Sequence, residues 1–174
     1  MRWVAAVGLI SAGLVLAGCG SEAVSGDAET EGVAAGEPAF SPCDDIPDDV
    51  VRSLGVDPTT KERDIMGVKQ PGWNICGWMG AGPSLSVFAT NHSLDDVRAN
   101  QKNTEFTPVD LEGRSGFSYR EIADTDRRSC DVAVGTSGGA VLISVSYLGV
   151  DAVVEDPCVI ATRATRGLVG YLPA

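Results

Sequence analysis

Four cysteines constrain the fold of this chain more than any other feature: Cys43, Cys76, Cys130 and Cys158. An even number of cysteines in an exported chain predicts two disulfide bonds, because exported proteins fold under oxidising conditions. A metal site is the alternative, but the sequence has no Cys-x-x-Cys pair and a single histidine, so zinc-type spacing is missing. Three pairings remain open, of which the sequential one would close two loops of about 30 residues.

A fifth cysteine, Cys19, ends an N-terminal segment with the layout of a secretory signal. Arg2 precedes an apolar stretch from Trp3 to Leu16, and Ala17-Gly18 follow it. An uncleaved membrane anchor is the alternative, but spanning a bilayer takes about 20 apolar residues, and this stretch is shorter. A cysteine directly after small residues resembles the lipobox of bacterial lipoproteins. The resemblance implies cleavage before Cys19 and a lipid on its sulfur, which would hold the protein to the extracytoplasmic face of the cell membrane.

Three segments follow from composition. Residues 1–18 are the predicted lipoprotein signal peptide, and residues 19–39 are small and acidic and lack large apolar groups, which predicts a flexible tether. Residues 40–174 are long enough for a single domain with its own core. The whole chain has a formal net charge of −11, which argues against nucleic acid as a partner.

Turn signals and apolar periodicity predict an α+β domain with a mainly antiparallel sheet and packed N- and C-terminal helices, stapled by disulfides. Pro47 and Gly55 frame a first helix, Ser93 caps a second with Asp96 three residues on, and Asp156-Pro157 opens the last. The predicted strands come in pairs around turns: 73–79 with 84–90, 109–111 with 116–119, and 129–135 with 140–148.

Several short motifs together resemble a family of actinobacterial cysteine-containing lipoproteins of unknown function. They are a Pro-Cys before the first helix, a Cys-x-Trp strand, a Cys-centred strand, a Cys opening the C-terminal helix and a final Leu-Pro: Pro42-Cys43, Cys76-Gly77-Trp78, Cys130, Pro157-Cys158 and Leu172-Pro173. The resemblance spans about residues 40–173. It implies a cell-envelope lipoprotein, and it carries no catalytic residues to this chain.

Two residues are candidates for nucleophilic chemistry. Gly135-Thr136-Ser137-Gly138-Gly139 matches the Gly-x-Ser-x-Gly nucleophile elbow, in which a helix follows the serine. Here a strand-like run follows, and no histidine lies downstream, so a hairpin turn is the better interpretation. His92 is the only histidine, and its place between a strand and a capped helix indicates an exposed turn residue. We therefore expect no catalytic residues.

Acidic and aromatic clusters are the candidates for binding. Four aspartates, Asp44, Asp45, Asp48 and Asp49, lack the spacing of a calcium loop and suit a helix N-terminus instead, so no metal or other cofactor is expected. Trp78 shares a strand face with Cys76, and Trp73 falls on the opposite face. Core packing or disulfide cover is the expectation for both indoles, with exposure of one as a ligand contact as the alternative.

These observations favour a non-enzymatic envelope module that binds a small molecule or another protein, with lipid on Cys19 as its membrane contact. The first alternative is a hydrolase that uses carboxylates only, because paired acids need no histidine. The second alternative is a purely structural role at the cell wall. An apolar pocket would favour the binding module, and two carboxylates facing into a cleft would favour the enzyme.

Overall fold

The computed structural model of the protein describes residues 36–149 and 151–174. The predicted signal peptide, Cys19 and the tether up to residue 35 lie outside the described residues. Within the described ranges, no helix is long and apolar enough to cross a membrane. The boundary at residue 40 between tether and domain stays a prediction.

A seven-stranded antiparallel sheet is the centre of the described structure, in the order β1-β2-β3-β7-β6-β5-β4. The strands are β1 (Glu62–Arg63), β2 (Trp73–Trp78), β3 (Ser84–Thr90), β4 (Asn103–Pro108), β5 (Gly116–Glu121), β6 (Ser129–Thr136) and β7 (Gly139–Ser146). Hairpin connections join most neighbours, whereas β3 pairs with β7, which is distant in sequence. The predicted α+β class with a mainly antiparallel sheet is confirmed.

Four α-helices accompany the sheet in the described residues: α1 (Pro42–Asp45), α2 (Asp48–Ser53), α3 (Leu94–Ala99) and α4 (Pro157–Leu168). The predicted first helix is thus two short ones, and Pro47 is the N-cap of α2 rather than its first residue. The capping box of α3 is confirmed, since the Ser93 and Asp96 side chains each bond the other's backbone N–H. At α4 the Asp156 carboxylate accepts from the Cys158 N–H.

Because side chains alternate between the two sides of each strand, the sheet has two distinct faces. Helices α1, α2 and α4 pack on one of them, which we call the helix face. Every second residue of β3, β6 and β7 is buried there, together with Trp78 and the inner side of α4: Leu85, Val87, Ala89, Val132, Val134, Val141, Ile143, Val145, Ala161 and Leu168. These aliphatic side chains form the main core. Burial of their apolar surface away from water is the main force that holds the helices to the sheet.

Both disulfides join a helix to this face. Cys43 in α1 pairs with Cys76 in β2, and Cys130 in β6 pairs with Cys158 in α4, with Cα–Cα distances of 5.2 and 4.9 Å. The prediction of two disulfides is confirmed, and the sequential pairing is the one formed. Each bond therefore fastens the first or the last α-helix of the domain to a strand inside the sheet rather than at its edge.

A buried arginine adds a polar tie between α4 and the sheet. The Arg120 side chain is 3% exposed, and its guanidinium donates to the Asp156 carboxylate at 2.7 Å and to the Ser129 carbonyl. Asp124 adds a second carboxylate oxygen at 3.7 Å. Because Asp156 also caps α4, one ion pair fixes the start of that helix against β5 and β6.

The strand predicted at 109–111 is wrong in position, because the partner of β5 is Asn103–Pro108. This edge strand is mostly polar, so it lacks the apolar alternation that marks a strand. Its register also shifts between Thr104 and Thr107, where Glu105 has a φ of 56°. Leu111 forms only an isolated β-bridge with Arg114, but its side chain is fully buried. This burial explains why an apolar residue lies there and why the segment resembled a strand. The two-residue β1 was not predicted either.

Candidate functional site

The second face of the sheet is covered only in part. Helix α3 lies over the β5–β6–β7 side, where Val97 packs with Phe117, Ala133 and Leu142. Arg98 closes the outer side of this small cluster, with its guanidinium carbon 4.2 Å from the centroid of the Phe117 ring. The rest of this face has no helix of the described chain over it, so it forms an open floor beside α3.

A cavity of about 600 Å³ lies along one side of α3, between this helix and the neighbouring part of the floor. Its apolar walls are Trp73, Phe88 and Leu142, its polar wall is Tyr119, Glu121 and Asp131, and its helix wall is Asp96, Val97, Ala99 and Asn100. We call this space the trough. Its volume lies in the range of small-molecule sites, which are about 300–1,000 Å³. A second depression of about 390 Å³ shares Phe88 with it and continues across the sheet toward Met66 and Met79.

Strand register explains why the trough has one apolar and one polar side. Phe88 of β3 lies opposite Leu142 of β7, and Leu142 lies opposite Ala133 of β6. Two residues further along each strand from this apolar row, the same face has a row of polar side chains. Its members are Ser86, Ser144, Asp131 and Tyr119, each opposite the next in register. Directly opposite side chains on one face lie about 5 Å apart, so the row is continuous.

Asp131 is the central charged group of the trough. It lies partly buried on β6, and burial raises its pKa to about 6. A hydrogen bond with the Ser144 side chain opposes that rise, whereas the charges of Glu121 and Asp124 add to it. Burial also raises the pKa of the neighbouring Tyr119, which stays a neutral phenol. A carboxyl that titrates near neutrality in a cavity is a recognised mark of a functional site.

Trp73 and His92 form one end of the trough. The two rings are 5.8 Å apart between centroids, and Trp73 also meets Phe88 edge-on at 6.4 Å. Trp78 is 1% exposed in the main core, so the prediction that the two indoles face opposite sides is confirmed. Trp73 is half-buried and lines the trough, so the expectation of core burial holds for Trp78 but not for Trp73. His92 is exposed in the turn before α3, as predicted.

The other sequence candidates lie elsewhere. Ser137 occupies the β6–β7 hairpin turn, as predicted, and its N–H donates to the Ala174 carbonyl at 2.7 Å. Asp44 pairs with Arg63 at 2.7 Å, and Asp48 pairs with Lys61 at 3.2 Å. Across residues 36–149 and 151–174, no group of three or more histidine, cysteine, aspartate or glutamate residues is placed to hold a metal.

Sequence reasoning missed Asp131 and Tyr119. The available signal was a single charge within an otherwise apolar strand, Cys130-Asp131-Val132-Ala133-Val134. A carboxylate at such a position needs a polar partner or contact with water, because burying it unpaired costs folding free energy. Which neighbours it meets depends on the strand order, since β7 and β5 flank β6 only in the folded sheet.

A family model described as "Protein of unknown function (DUF3558)" matches residues 14–171. No curated protein matches the chain significantly. No solved structure matches it significantly either.

Proposed function

We propose that this chain, which belongs to the DUF3558 family of proteins of unknown function, is a lipid-anchored envelope module that binds a small amphipathic molecule in the trough. The observation that carries the binding proposal is the trough itself. It joins an apolar wall of Trp73, Phe88 and Leu142 to a partly buried carboxylate, Asp131. Binding sites for small molecules combine these elements: mostly apolar walls and a few placed polar groups.

Membrane anchoring is supported by the sequence around Cys19 alone. The mature protein would carry acyl chains on its first residue, and each buried CH₂ adds about 0.8 kcal/mol to membrane binding. Replacement of Cys19 by alanine should leave an uncleaved, unlipidated precursor, whereas Ser21→Ala should mature normally. Intact mass and membrane fractionation of the two variants decide this. A Cys19→Ala protein with the lipid mass of the wild type would contradict the proposal.

Ligand binding is tested by native purification of the full chain followed by mass spectrometry for retained small molecules. Ala99 lines the trough from the exposed end of α3, so Ala99→Trp should fill the trough and abolish retention. Asp95 is exposed on the same helix and does not line the trough, so Asp95→Trp is the matched control. The proposal fails if the wild type retains no compound, or if Ala99→Trp retains the compound as well as the control does.

A carboxylate-only hydrolase is the second candidate, and one observation favours it. Asp131, whose pKa is raised to about 6 by burial, and Glu121 line the same wall, so one cavity holds the two carboxyl groups that such enzymes need. A screen of the full chain against glycosides tests this candidate. An activity that Asp131→Asn and Glu121→Gln each reduce by at least about a hundredfold, and that Asp126→Asn leaves unchanged, would establish it.

A further inference from the structure

The carboxylates that line the trough have no lysine or arginine beside them in its lining. Asp96, Glu121 and Asp131 line it, and none of its lining residues is a lysine or arginine. The exposed His92 at one end is its only basic side chain. Arg98, the cation on α3, lies over the Phe117 and Phe106 rings. The trough is therefore a site of negative potential with apolar walls.

Asp131 is the partly buried carboxylate of the three, whereas Asp96 and Glu121 are exposed. Asp96 is bound by its own helix, because its oxygen accepts from the Ser93 N–H at 2.8 Å and the Ser93 hydroxyl at 2.7 Å. Asp131 forms no ion pair within the described residues. Some acids in this part of the chain do have a lysine or arginine within 4 Å, including Asp44, Asp48, Glu105 and Glu155.

The groups that face Asp131 from the packed elements are neutral or acidic. Tyr119 lies opposite it on β5, Ser144 lies opposite it on β7, and Glu121 lies two residues beyond Tyr119. The charge of Arg120 lowers the pKa of Asp131, but the Arg120 guanidinium pairs with Asp156 on the helix face. Asp131 thus has one hydroxyl partner and an open side toward the trough.

Resting on the proposed function, we infer that the ligand carries a protonated amine, which pairs with the Asp131 carboxylate while its apolar part lies against Phe88 and Leu142. An ammonium supplies the missing charge and donates to the carboxylate, and the nearby Tyr119 ring adds a favourable face for a cation. An anionic ligand would meet three carboxylates, so it would be repelled.

The test uses the full chain in nanodiscs, with titration calorimetry against empty nanodiscs and three probes of one shape. These are 2-phenylethylamine, 2-phenylethanol and 3-phenylpropanoate. At about pH 8 the amine should bind about tenfold more tightly than the alcohol, as expected for a charged hydrogen bond, and the anion should not bind. The preference should disappear in Asp131→Asn and at about pH 5, where Asp131 is protonated, and it should persist in the exposed-loop control Asp126→Asn.

Each outcome separates the two proposals. Equal binding of amine and alcohol, or tighter binding of the anion, overturns the inference and leaves the binding function in place. The same holds if the preference for the amine survives in Asp131→Asn. If none of the three probes binds at about millimolar concentration, the trough is not a small-molecule site for such compounds, and the proposed function fails together with the inference.

Discussion

Replacing Asp131 by asparagine should stabilise the protein at neutral and alkaline pH. The pKa of Asp131 is about 6 in the folded chain, against an ordinary value of 3.8. Between these two values the unfolded chain has released the proton and the folded chain has kept it. The folded state then binds more protons, so stability falls as the pH rises through this window and stays lower above it. Asparagine resembles the protonated carboxyl in shape and has no charge to desolvate.

The magnitude follows from the size of the pKa difference. One pKa unit corresponds to about 1.4 kcal/mol, so a rise from 3.8 to about 6 makes the ionised Asp131 cost about 3 kcal/mol of folding free energy. Asp131→Asn should therefore exceed the wild type by about 2–3 kcal/mol at about pH 8. The two proteins should converge below about pH 4, where the carboxyl is protonated in both states.

Urea unfolding of the full chain with its disulfides intact measures this difference across the pH range. Asp126→Asn, which removes the same charge from an exposed loop, is the control and should stay within about 0.5 kcal/mol of the wild type. The slope with urea should be equal in all three proteins, so that midpoints report stability. If Asp131→Asn is no more stable than the wild type at alkaline pH, or if the difference does not shrink in acid, the account of Asp131 is wrong.

Three further predictions concern the scaffold, and urea unfolding tests each of them. Replacing Cys130 and Cys158 together by alanine should cost on the order of 3–4 kcal/mol, because the bond closes a loop of 28 residues in sequence separation. Arg120→Met should cost about 1–3 kcal/mol, since it removes the hydrogen bonds of a buried guanidinium to the Ser129 carbonyl and to the half-exposed Asp156 carboxylate. Gly139→Ala should cost more than about 2 kcal/mol, because its Cβ would lie 2.1 Å from a backbone oxygen, whereas Gly138→Ala meets nothing within 4 Å and should be nearly neutral.

The hairpins could be predicted from sequence because their signals are local. Strands β6 and β7 have apolar alternation on both sides of a Gly-rich turn, so periodicity and turn chemistry agree on them. Strand β4 has neither signal, because it is a polar edge strand with a bulge at Glu105. Its place in the sheet depends on pairing with β5 and on the Arg127–Glu105 ion pair at 2.7 Å. Both contacts join residues that are distant in sequence, so no local pattern indicates them.

The trough could not be predicted because it depends on where α3 lies. The sequence predicts the Ser93 cap and therefore the start of this helix. It does not show which strands the helix covers, and only that placement leaves Asp131 beside an open cavity. The disulfide pairing has the same limit. Cys43 meets Cys76, and Cys130 meets Cys158, because of strand order, which no spacing rule supplies.

The open face of the sheet changes character along its strands, and this change sets the orientation of a ligand. Beside α3, the outward positions of β3 and β7 are Phe88 and Leu142. Further along, the outward positions are four serines, Ser84, Ser86, Ser144 and Ser146. A strand face that packed against a helix would need larger apolar side chains, whereas small hydroxyls tolerate both water and polar ligand groups. An amphipathic ligand should therefore place its apolar end beside α3 and its polar end toward the serines. A ligand longer than the trough would extend along them toward the second depression.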